Sequence, residues 1–308
     1  MSTVYPDYYS QFKCIAGECK NSCCCGWEID IDDEALQYYK SVEGEIGKLL
    51  AESISEDGGA HFILGENERC PFLTPDNLCR IIQILGEVCL CQICSDHPRF
   101  RNFISERTEV GLGLCCEAAA ELIIKRKEKA LLIVEGDEKL SDHERELIEK
   151  RNALIAAAQN RNEPIEKRMG NILTLSEAEA SESGISEWAV RYQELEMLDD
   201  TWQNELKALE NFVETEIPND EKMQTAAEQL LVYFLYRHMA GAIDDGDFDL
   251  RAAFCVLSCR MVLAMWLNGG DTSLDVLADY ARRYSAEIEY SEENIGALFD
   301  MLYEEACT

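Results

Sequence analysis

Positive charge is scarce in this chain. Its 308 residues include 28 lysines and arginines against 60 aspartates and glutamates, so the formal net charge at pH 7 is -32. A protein this acidic is repelled by phosphate backbones and by anionic lipid. We therefore expect no nucleic-acid interface and no membrane partner, whereas a lysine-bearing protein surface would be attracted. The simplest explanation of the charge is that it keeps the protein soluble.

The sequence also lacks an evident secretory leader and a clear membrane span. The opening residues, MSTVYPDYYSQF, contain no basic segment followed by an apolar core. The longest apolar stretch, residues 252–267, carries Arg260 near its middle and is short for a bilayer. We expect this stretch to be a buried helix and the protein to be cytoplasmic, where cysteines stay reduced.

Cysteine, by contrast, is abundant and unevenly placed. Twelve of the 15 cysteines lie within the first 116 residues: Cys14, Cys19, Cys23, Cys24, Cys25, Cys70, Cys79, Cys89, Cys91, Cys94, Cys115 and Cys116. In a reducing compartment a clustered set of thiols indicates metal ligands rather than disulfides. The alternative is that cysteines serve as small buried apolar residues. We expect this second role for Cys255 and Cys259, which lie four residues apart in an apolar segment.

The spacing of these cysteines allows two kinds of metal centre. A structural zinc ion takes four thiolate or imidazole ligands, and an iron–sulfur cluster takes about four thiolates. Adjacent side chains point apart, so Cys23, Cys24 and Cys25 cannot all serve one ion. The twelve thiols therefore suffice for one centre with spares or for two four-ligand sites. Spacing does not choose between zinc and iron, and the lone His97 is more typical of polar packing than of a ligand.

The composition predicts a mainly α fold in two parts. Residues 1–130 are cysteine-rich and loop-rich and would form a metal-binding region, packed on an α-helical domain of residues 131–308. Short strands are expected at 61–64 and 110–114, and a short helix at 32–50. Further helices are expected at the following places: 117–129, after a capping box at Ser141–Glu144, along the apolar stripe from Trp188 to Phe212, and at 221–242, 249–267, 273–284 and 292–305.

Several short motifs in the first part recur in a known family. In chain order they are Phe12-x-Cys14-x4-Cys19-x3-Cys23-Cys24-x-Gly26-Trp27, Cys70-Pro71-Phe72-Leu73, Leu78-Cys79-x-Ile81, Gly86-Glu87, Cys94-x2-His97-Pro98-Arg99 and Cys115-x-Glu117-Ala118-Ala119. Over residues 5–125 their order and spacing resemble the flagellin lysine-N-methylases. The pattern is also similar to a broader group of small proteins proposed to chelate zinc or iron through a CxxCxxCC-like motif. Two positions depart from the family pattern: His97 stands where tyrosine is expected, and Cys116 where proline is expected.

The resemblance implies an enzyme that transfers methyl groups from S-adenosylmethionine to lysines of flagellin. It also implies an iron–sulfur centre, most simply a 4Fe–4S cluster, with zinc as the alternative. The cysteines that match the pattern, and that would ligate the metal, are Cys14, Cys19, Cys23, Cys24, Cys70, Cys79, Cys94 and Cys115. Those outside the pattern, and therefore weaker candidates, are Cys25, Cys89, Cys91 and Cys116.

The residues alone do not reveal where a methyl donor would bind. No G-x-G-x-x-G motif follows a strand, so a Rossmann-type donor site is not supported. Tyr8, Tyr9 or Asp96 would be candidates for accepting the lysine proton. The competing hypothesis is a non-enzymatic protein that chelates zinc or iron or uses a structural metal site. The long helical half favours the enzyme, because chelation alone would not need it.

Overall fold

The computed structural model describes residues 1–198 and 200–307, and its fold is mainly α, as predicted. In chain order the helices are α1 (Asp33–Ser41), α2 (Gly44–Ser53), α3 (Arg80–Leu85), α4 (Gln92–Asp96), α5 (Glu117–Ile124), α6 (Asp142–Ala158), α7 (Ile165–Leu175), α8 (Ile185–Tyr192), α9 (Asp200–Leu209), α10 (Glu221–His238), α11 (Ala242–Asp245), α12 (Phe248–Asn268), α13 (Leu274–Tyr284) and α14 (Glu292–Ala306). The strands are β1 (Ser2–Pro6), β2 (Ile54–Ser55), β3 (His61–Phe62), β4 (Arg99–Ile104), β5 (Arg107–Leu112) and β6 (Leu132–Gly136).

The chain divides into two compact units. The helical unit contains Met1–Phe12, Phe100–Cys115 and Ala119–Thr308, and the cysteine-rich unit contains Lys13–Arg99 and Cys116–Ala118. This division differs from a single boundary near residue 130, because the first strand pairs with strands far along the chain. β1 runs parallel to β5 and antiparallel to β6, in a sheet of order β4-β5-β1-β6. The N-terminal residues thereby belong with the helices.

The core of the helical unit is built around α10 and α12. Both helices are buried on nearly every side, which explains why their sequences are apolar almost all round. By length and composition alone α12 is capable of crossing a membrane, but 72% of its most apolar stretch is buried inside the protein. A core helix has the same properties, so this is weak evidence for a span. The thiols of Cys255 and Cys259 lie fully buried in α12, as expected of core residues.

Local sequence signals predicted several helix boundaries correctly. Ser141 and Glu144 form the predicted capping box at the start of α6, with the Glu144 amide donating to Ser141 Oγ at 3.2 Å and the Ser141 amide donating to Glu144 Oε2 at 2.7 Å. α12, α13 and α14 begin and end within one residue of the predicted limits. α10 begins as predicted at Glu221 but ends at His238, four residues early.

The apolar stripe from Trp188 to Phe212 does not form one helix, so that prediction was wrong. The structure has α8 and α9 instead, and residues 193–198, which follow α8, are irregular. In this segment the amide of Glu196 donates to Asn294 Oδ1 at 3.0 Å, and the amide of Leu198 donates to Glu287 Oε2 at 2.8 Å. Buried side chains from later in the chain thus bind amides that would otherwise continue the helix.

Other differences concern strands. The predicted helix 117–129 ends at Ile124, because the chain then extends into β6, which pairs with β1. The strand expected at 110–114 is β5, which begins three residues earlier, and the strand expected at 61–64 is the two-residue β3. The helix expected at 32–50 is two helices, α1 and α2. β1, β4 and β6 were not predicted.

The cysteine-rich unit has its own apolar core. Tyr39 of α1, Phe62 of β3 and Phe72 are buried and pack together, with the Phe62 and Phe72 ring centroids 5.0 Å apart. Leu50, Ile29 and Ile81 belong to the same buried cluster, together with Ile31, Ala35, Leu73 and the two cysteines Cys70 and Cys91. This core is small, and most of the unit consists of turns and short elements.

Candidate metal centre

Seven cysteines belong to or pack against the apolar core of the cysteine-rich unit, and five of them also interact with one another. We call these five the inner thiols: Cys24, Cys70, Cys79, Cys91 and Cys94. Cys70 is 6% exposed and Cys91 is fully buried, while the other three are half-buried against the same core. Four chain segments contribute to the group. Their thiols lie within electrostatic range of one another.

The backbone brings these segments together through short pairings. The amide of Cys70 donates to the Cys24 carbonyl at 2.8 Å, and Cys25 and Arg69 form an antiparallel bridge. The chain then turns, since the Leu73 amide donates to the Cys70 carbonyl at 3.1 Å, and Leu73 bridges to Cys79. The sequence Cys70-Pro71-Phe72-Leu73 thus forms a tight turn. Its Phe72 anchors the turn in the core and leaves the flanking sulfurs beside it.

Backbone amides point at several of the inner sulfurs. The Cys70 sulfur accepts a hydrogen bond from Phe72, the Cys79 sulfur from Ile81 and Ile82, and the Cys91 sulfur from Cys94. Such bonds stabilise a thiolate. Burial opposes them: it raises the pKa of Cys70 to about 12 and raises that of Cys79 as well. A bound cation would reverse this balance, because a coordinated thiol is deprotonated.

Two pairs of thiols are hydrogen-bonded. The Cys94 thiol donates to Cys91, which raises the pKa of Cys94 and lowers that of Cys91. The Cys23 thiol donates to Cys24 in the same way. This hydrogen bond, aided by Ser22 and Arg69 and opposed by burial, lowers the pKa of Cys24 to about 7. At neutral pH the group therefore already contains thiolate, the form that binds metal.

A second set of thiols lies nearer the surface. We call them the outer thiols: Cys14, Cys19, Cys23 and Cys116. Cys14 and Cys23 are exposed, and Cys19 and Cys116 are half-buried. Cys23 interacts electrostatically with Cys14 and Cys116, and Cys19 interacts with Cys116. No described cysteine is in a disulfide.

Glu117 connects the separate segments of the outer set. Its Oε2 accepts hydrogen bonds from the amide of Lys20 at 2.9 Å and from the amide of Asn21 at 3.2 Å, and it lies 3.7 Å from the Cys19 sulfur. The carboxylate of Glu117 thereby holds the turn after Cys19 beside Cys116, the residue that precedes it in the chain.

Three other cysteines of the first part lie outside both sets. Cys115 belongs to the helical unit, where its thiol is hydrogen-bonded with Tyr290 and close to Arg237. Cys89 donates to the Leu85 carbonyl at 3.3 Å, and Cys25 packs on the core of the cysteine-rich unit. Of the eight cysteines predicted as ligands, seven therefore lie in the cysteine-rich unit, and Cys115 lies in the other.

Neither set is already arranged around a common point. In the described ranges 1–198 and 200–307, no group of three or more His, Cys, Asp or Glu side chains is placed so that it could hold a metal ion. The donor chemistry of the inner thiols nevertheless suits an iron–sulfur cluster or zinc, both of which take four thiolates. Binding would require the sulfurs to close around the metal, which couples binding to folding.

The structure disfavours Tyr8 as the base for proton transfer and His97 as a metal ligand. Tyr8 is buried, and burial raises its pKa well above 10, so it is a poor base at neutral pH. His97 packs on Trp27 with ring centroids 5.9 Å apart, and burial together with Arg99 lowers its pKa to about 4. Asp96 accepts a hydrogen bond from the side chain of Gln92 on the same helix.

The structure places two cysteines from outside the family pattern among the candidate ligands. Cys91, outside the pattern, is the most buried of the inner thiols, and Cys116, also outside it, lies among the outer ones. The C-x2-C spacing of Cys91 and Cys94 could have identified Cys91 as a candidate ligand, because a turn directs two sulfurs with this spacing to one point. Nothing in the local sequence indicates that Cys116 lies beside the turn at residues 19–21, because almost 100 residues separate them.

The helical unit contains a cavity of its own, of about 300 Å³. It is lined mainly by apolar side chains, among them Met169, Val256 and Leu263, with Gly170 at its wall. Polar groups are few: Arg260 Nη2 lies 2.8 Å from Glu214 Oε2, and Glu166 accepts a hydrogen bond from the Ile217 amide. A mainly apolar pocket with a few charged groups is typical of small-molecule sites.

Comparison with known proteins supports the resemblance found in the sequence. Over 133 residues, or 40% of its length, this chain is 25% identical to lysine-N-methylases of Salmonella typhimurium and Salmonella choleraesuis. Over the same number of residues it is 26% identical to the flagellar biosynthetic protein FliU of Salmonella muenchen. The match spans about a third of the two lysine-N-methylases and 78% of FliU. No family model and no solved structure matches the chain.

Proposed function

We propose that this protein is a lysine N-methyltransferase that acts on flagellin, uses S-adenosylmethionine and carries an iron–sulfur centre. The observation that supports the proposal is the similarity to lysine-N-methylases and FliU, together with cysteine motifs in this chain that resemble those of the flagellin lysine-N-methylases. The resemblance is the reason for naming flagellin and the methyl donor. The thiol group in the cysteine-rich unit is the reason for including the metal.

The reaction needs little more than positioning. A neutral lysine amine attacks the methyl carbon of the sulfonium in line, and a nitrogen–carbon bond forms as the sulfur–carbon bond breaks. The bonding electrons remain on sulfur, which leaves as a neutral thioether, and the amine loses its proton to a base or to water. Holding the two reactants in line supplies much of the rate enhancement. The charge of -32 attracts a lysine-bearing surface and the cationic donor alike.

The donor is assigned to the cavity of the helical unit. A volume of about 300 Å³ lies at the lower end of the range for small-molecule pockets. Its apolar wall suits an adenine ring, and the carboxylates of Glu166 and Glu214 suit a cation. Arg260 would pair with the donor's carboxylate in place of Glu214, which it contacts in the free protein.

The metal is assigned to the inner thiols. They provide the four thiolates that a 4Fe–4S cluster takes, with one to spare, and amides already point at three of the sulfurs. When bound, such a cluster supplies a redox-active or Lewis-acidic iron. The residues themselves exclude water, since Phe72 and Tyr39 cover the group from the core side.

Co-expression with flagellin tests the proposal. We expect flagellin peptides to gain the mass of one or more methylene units on lysine, in cells that make the wild-type protein and not in cells that lack it. A matched control is the Gly170→Trp variant, in which the indole would fill the cavity. If metal-loaded, folded protein leaves flagellin unmodified with the donor present, the enzyme assignment is wrong.

A metal-binding protein without catalytic activity is the second candidate. Two observations favour it: the match spans only about a third of the lysine-N-methylases, and seven of the eight pattern cysteines lie in the cysteine-rich unit. Such a protein would contain iron or zinc after anaerobic purification but would not methylate flagellin. Brown protein with iron and sulfide favours the cluster, and colourless protein with zinc favours this second candidate.

A further inference from the structure

Strand β6 lies at the open edge of the sheet in the helical unit. It is the last strand in the order β4-β5-β1-β6, and within the part of the chain that the structure describes it pairs with β1 alone. Three apolar side chains in β6 and just before it are exposed to solvent: Leu131 at 60%, Ile133 at 38% and Val134 at 47%. An exposed apolar edge strand is a template for pairing with a further strand.

The pairing with β1 shows which backbone groups of β6 point outward. The Asp7 amide donates to the Leu131 carbonyl at 2.8 Å, which makes Leu131 a hydrogen-bonded position. In an antiparallel pair such positions alternate along the strand. Ile133 therefore bonds to β1, whereas Leu132 and Val134 direct their amides and carbonyls away from it. These outward groups are the ones that a new strand would bind.

The residues that flank β6 make this edge complementary to a copy of itself. Lys129 precedes the strand, Asp137 follows it, and both are exposed. When two β6 strands pair antiparallel with Ile133 opposite its own copy, the outward groups of Leu132 in one copy bind those of Val134 in the other. The same register places Lys129 of each copy opposite Asp137 of the second. Opposite charges at facing positions stabilise a strand pair.

The neighbouring registers are less favourable. With Val134 on the twofold axis, Lys129 would face Lys139 of the second copy, and like charges at facing positions are destabilising. With Leu132 on the axis, only that one residue of the regular strand would face the regular strand of the second copy. The register centred on Ile133 combines regular pairing with matched charges.

We propose that β6 pairs with β6 of a second copy of this chain, across a twofold axis at Ile133, and joins the two sheets into one. The interface is isologous, so each copy supplies the same residues. The formal charge of -32 on each chain opposes association. Salt at physiological strength screens charges that are more than about 8 Å apart, so facing residues of the interface are affected least. The proposal depends neither on methyl transfer nor on a bound metal.

Light scattering coupled to size-exclusion chromatography, in about 0.15 M salt, tests the pairing. We expect the wild-type protein to have twice the mass of the chain. Val134→Pro removes an outward amide without removing a bond to β1, so this variant should be monomeric. Val134→Thr keeps the amide and should remain a dimer. A monomeric wild type would leave the edge to a strand of another protein and would overturn the proposal, as would a folded Val134→Pro variant that is still a dimer.

Circular dichroism shows whether the proline variant is folded. If it is not, Ile133→Lys takes its place, because two lysines would then face each other on the axis and the protein should be monomeric. A folded Ile133→Lys variant that remains a dimer would equally overturn the proposal.

Charge reversal tests the register. Lys129→Glu places a like charge opposite Asp137 at two symmetric positions and should weaken the dimer roughly tenfold, as should Asp137→Lys. The double variant restores opposite charges and should regain most of the wild-type affinity. Lys207→Glu, an equal charge change at an exposed position of α9, should leave the affinity unchanged. Analytical ultracentrifugation measures each dissociation constant. A double variant as weak as the single ones would show that these two residues do not face each other and would overturn the proposed pairing.

Discussion

His238 Nε2 lies 2.6 Å from Glu289 Oε1, and both side chains are buried in the helical unit. Glu289 also pairs with Arg237 Nε at 3.3 Å and accepts a hydrogen bond from the Tyr233 hydroxyl at 2.8 Å. Burial by itself would raise the pKa of Glu289, but the Arg237 charge and the His238 hydrogen bond hold it at about 2. Burial lowers the pKa of His238, and the hydrogen bond with Glu289 opposes that shift.

The first prediction concerns this buried network. Glu289→Gln would leave the Arg237 guanidinium buried without its counter-ion, and we expect a loss of about 3–5 kcal/mol in the free energy of unfolding. Urea titration followed by circular dichroism measures it. Glu293→Gln, at an exposed position of the following helix, should change stability by no more than about 0.5 kcal/mol. Equal, small losses in both variants would mean that the network contributes little.

The second prediction is a pH dependence from His97. Its pKa of about 4 in the folded protein lies below the value of about 6.5 for an unfolded chain. Between these values the unfolded chain binds a proton that the folded protein does not, so stability falls as the pH drops from 6.5 towards 4. The loss is at most about 3.5 kcal/mol, since the two pKa values differ by about 2.5 units and each unit corresponds to about 1.4 kcal/mol.

Comparison with His97→Gln isolates this contribution. The free energy of unfolding of wild type minus that of the variant should decline between about pH 6.5 and pH 4 and stay constant above that range. The slope is the readout, because the variant also loses the packing of the His97 ring on Trp27. Parallel curves would show that His97 titrates alike in both states.

The third prediction tests the cavity as the donor site. An added Cβ at Gly170 meets no atom within 4 Å, so Gly170→Ala should fold normally. Gly170→Trp should obstruct the cavity and weaken binding of S-adenosylmethionine roughly tenfold or more, a change of at least about 1.4 kcal/mol. Isothermal titration calorimetry of both variants measures this. Unchanged affinity in the tryptophan variant would place the donor elsewhere.

The fourth prediction concerns metal removal. The cysteine-rich unit has short elements and a small core, whereas the helical unit is organised around α10 and α12. Chelation should therefore increase amide hydrogen exchange in residues 13–99 and leave residues 221–268 protected. Mass spectrometry of peptides before and after chelation measures both segments in one sample. Unchanged exchange in 13–99 would show that metal does not hold this unit together.

Helices with a continuous local signal were predictable from the sequence. The capping box before α6 and the apolar lengths of α12, α13 and α14 are local properties, and each helix formed where it was expected. The break between α8 and α9 had no local signal. It depends on Asn294 and Glu287, which approach residues 196 and 198 only after the chain has folded.

The strand pairing in the sheet of the helical unit also could not be predicted from the local sequence. β1 is five residues long and has no distinctive alternation, yet it pairs with β5 and with β6, each more than 100 residues away. Pairing of this kind depends on loop closure and packing rather than on propensity. It also explains why the first twelve residues belong to the helical unit and not to the cysteines that follow them.

The amino-acid sequence by itself determined the acidic charge, the wealth of thiols in the first 116 residues, the main helices and the resemblance to flagellin lysine-N-methylases. The tertiary structure decided which thiols are neighbours. It placed Cys91 among the inner thiols, Cys116 beside Glu117 and the outer loop, and Cys115 in the other unit. The physical reason is that consecutive side chains diverge, so distance along the chain says little about which sulfurs face the same point.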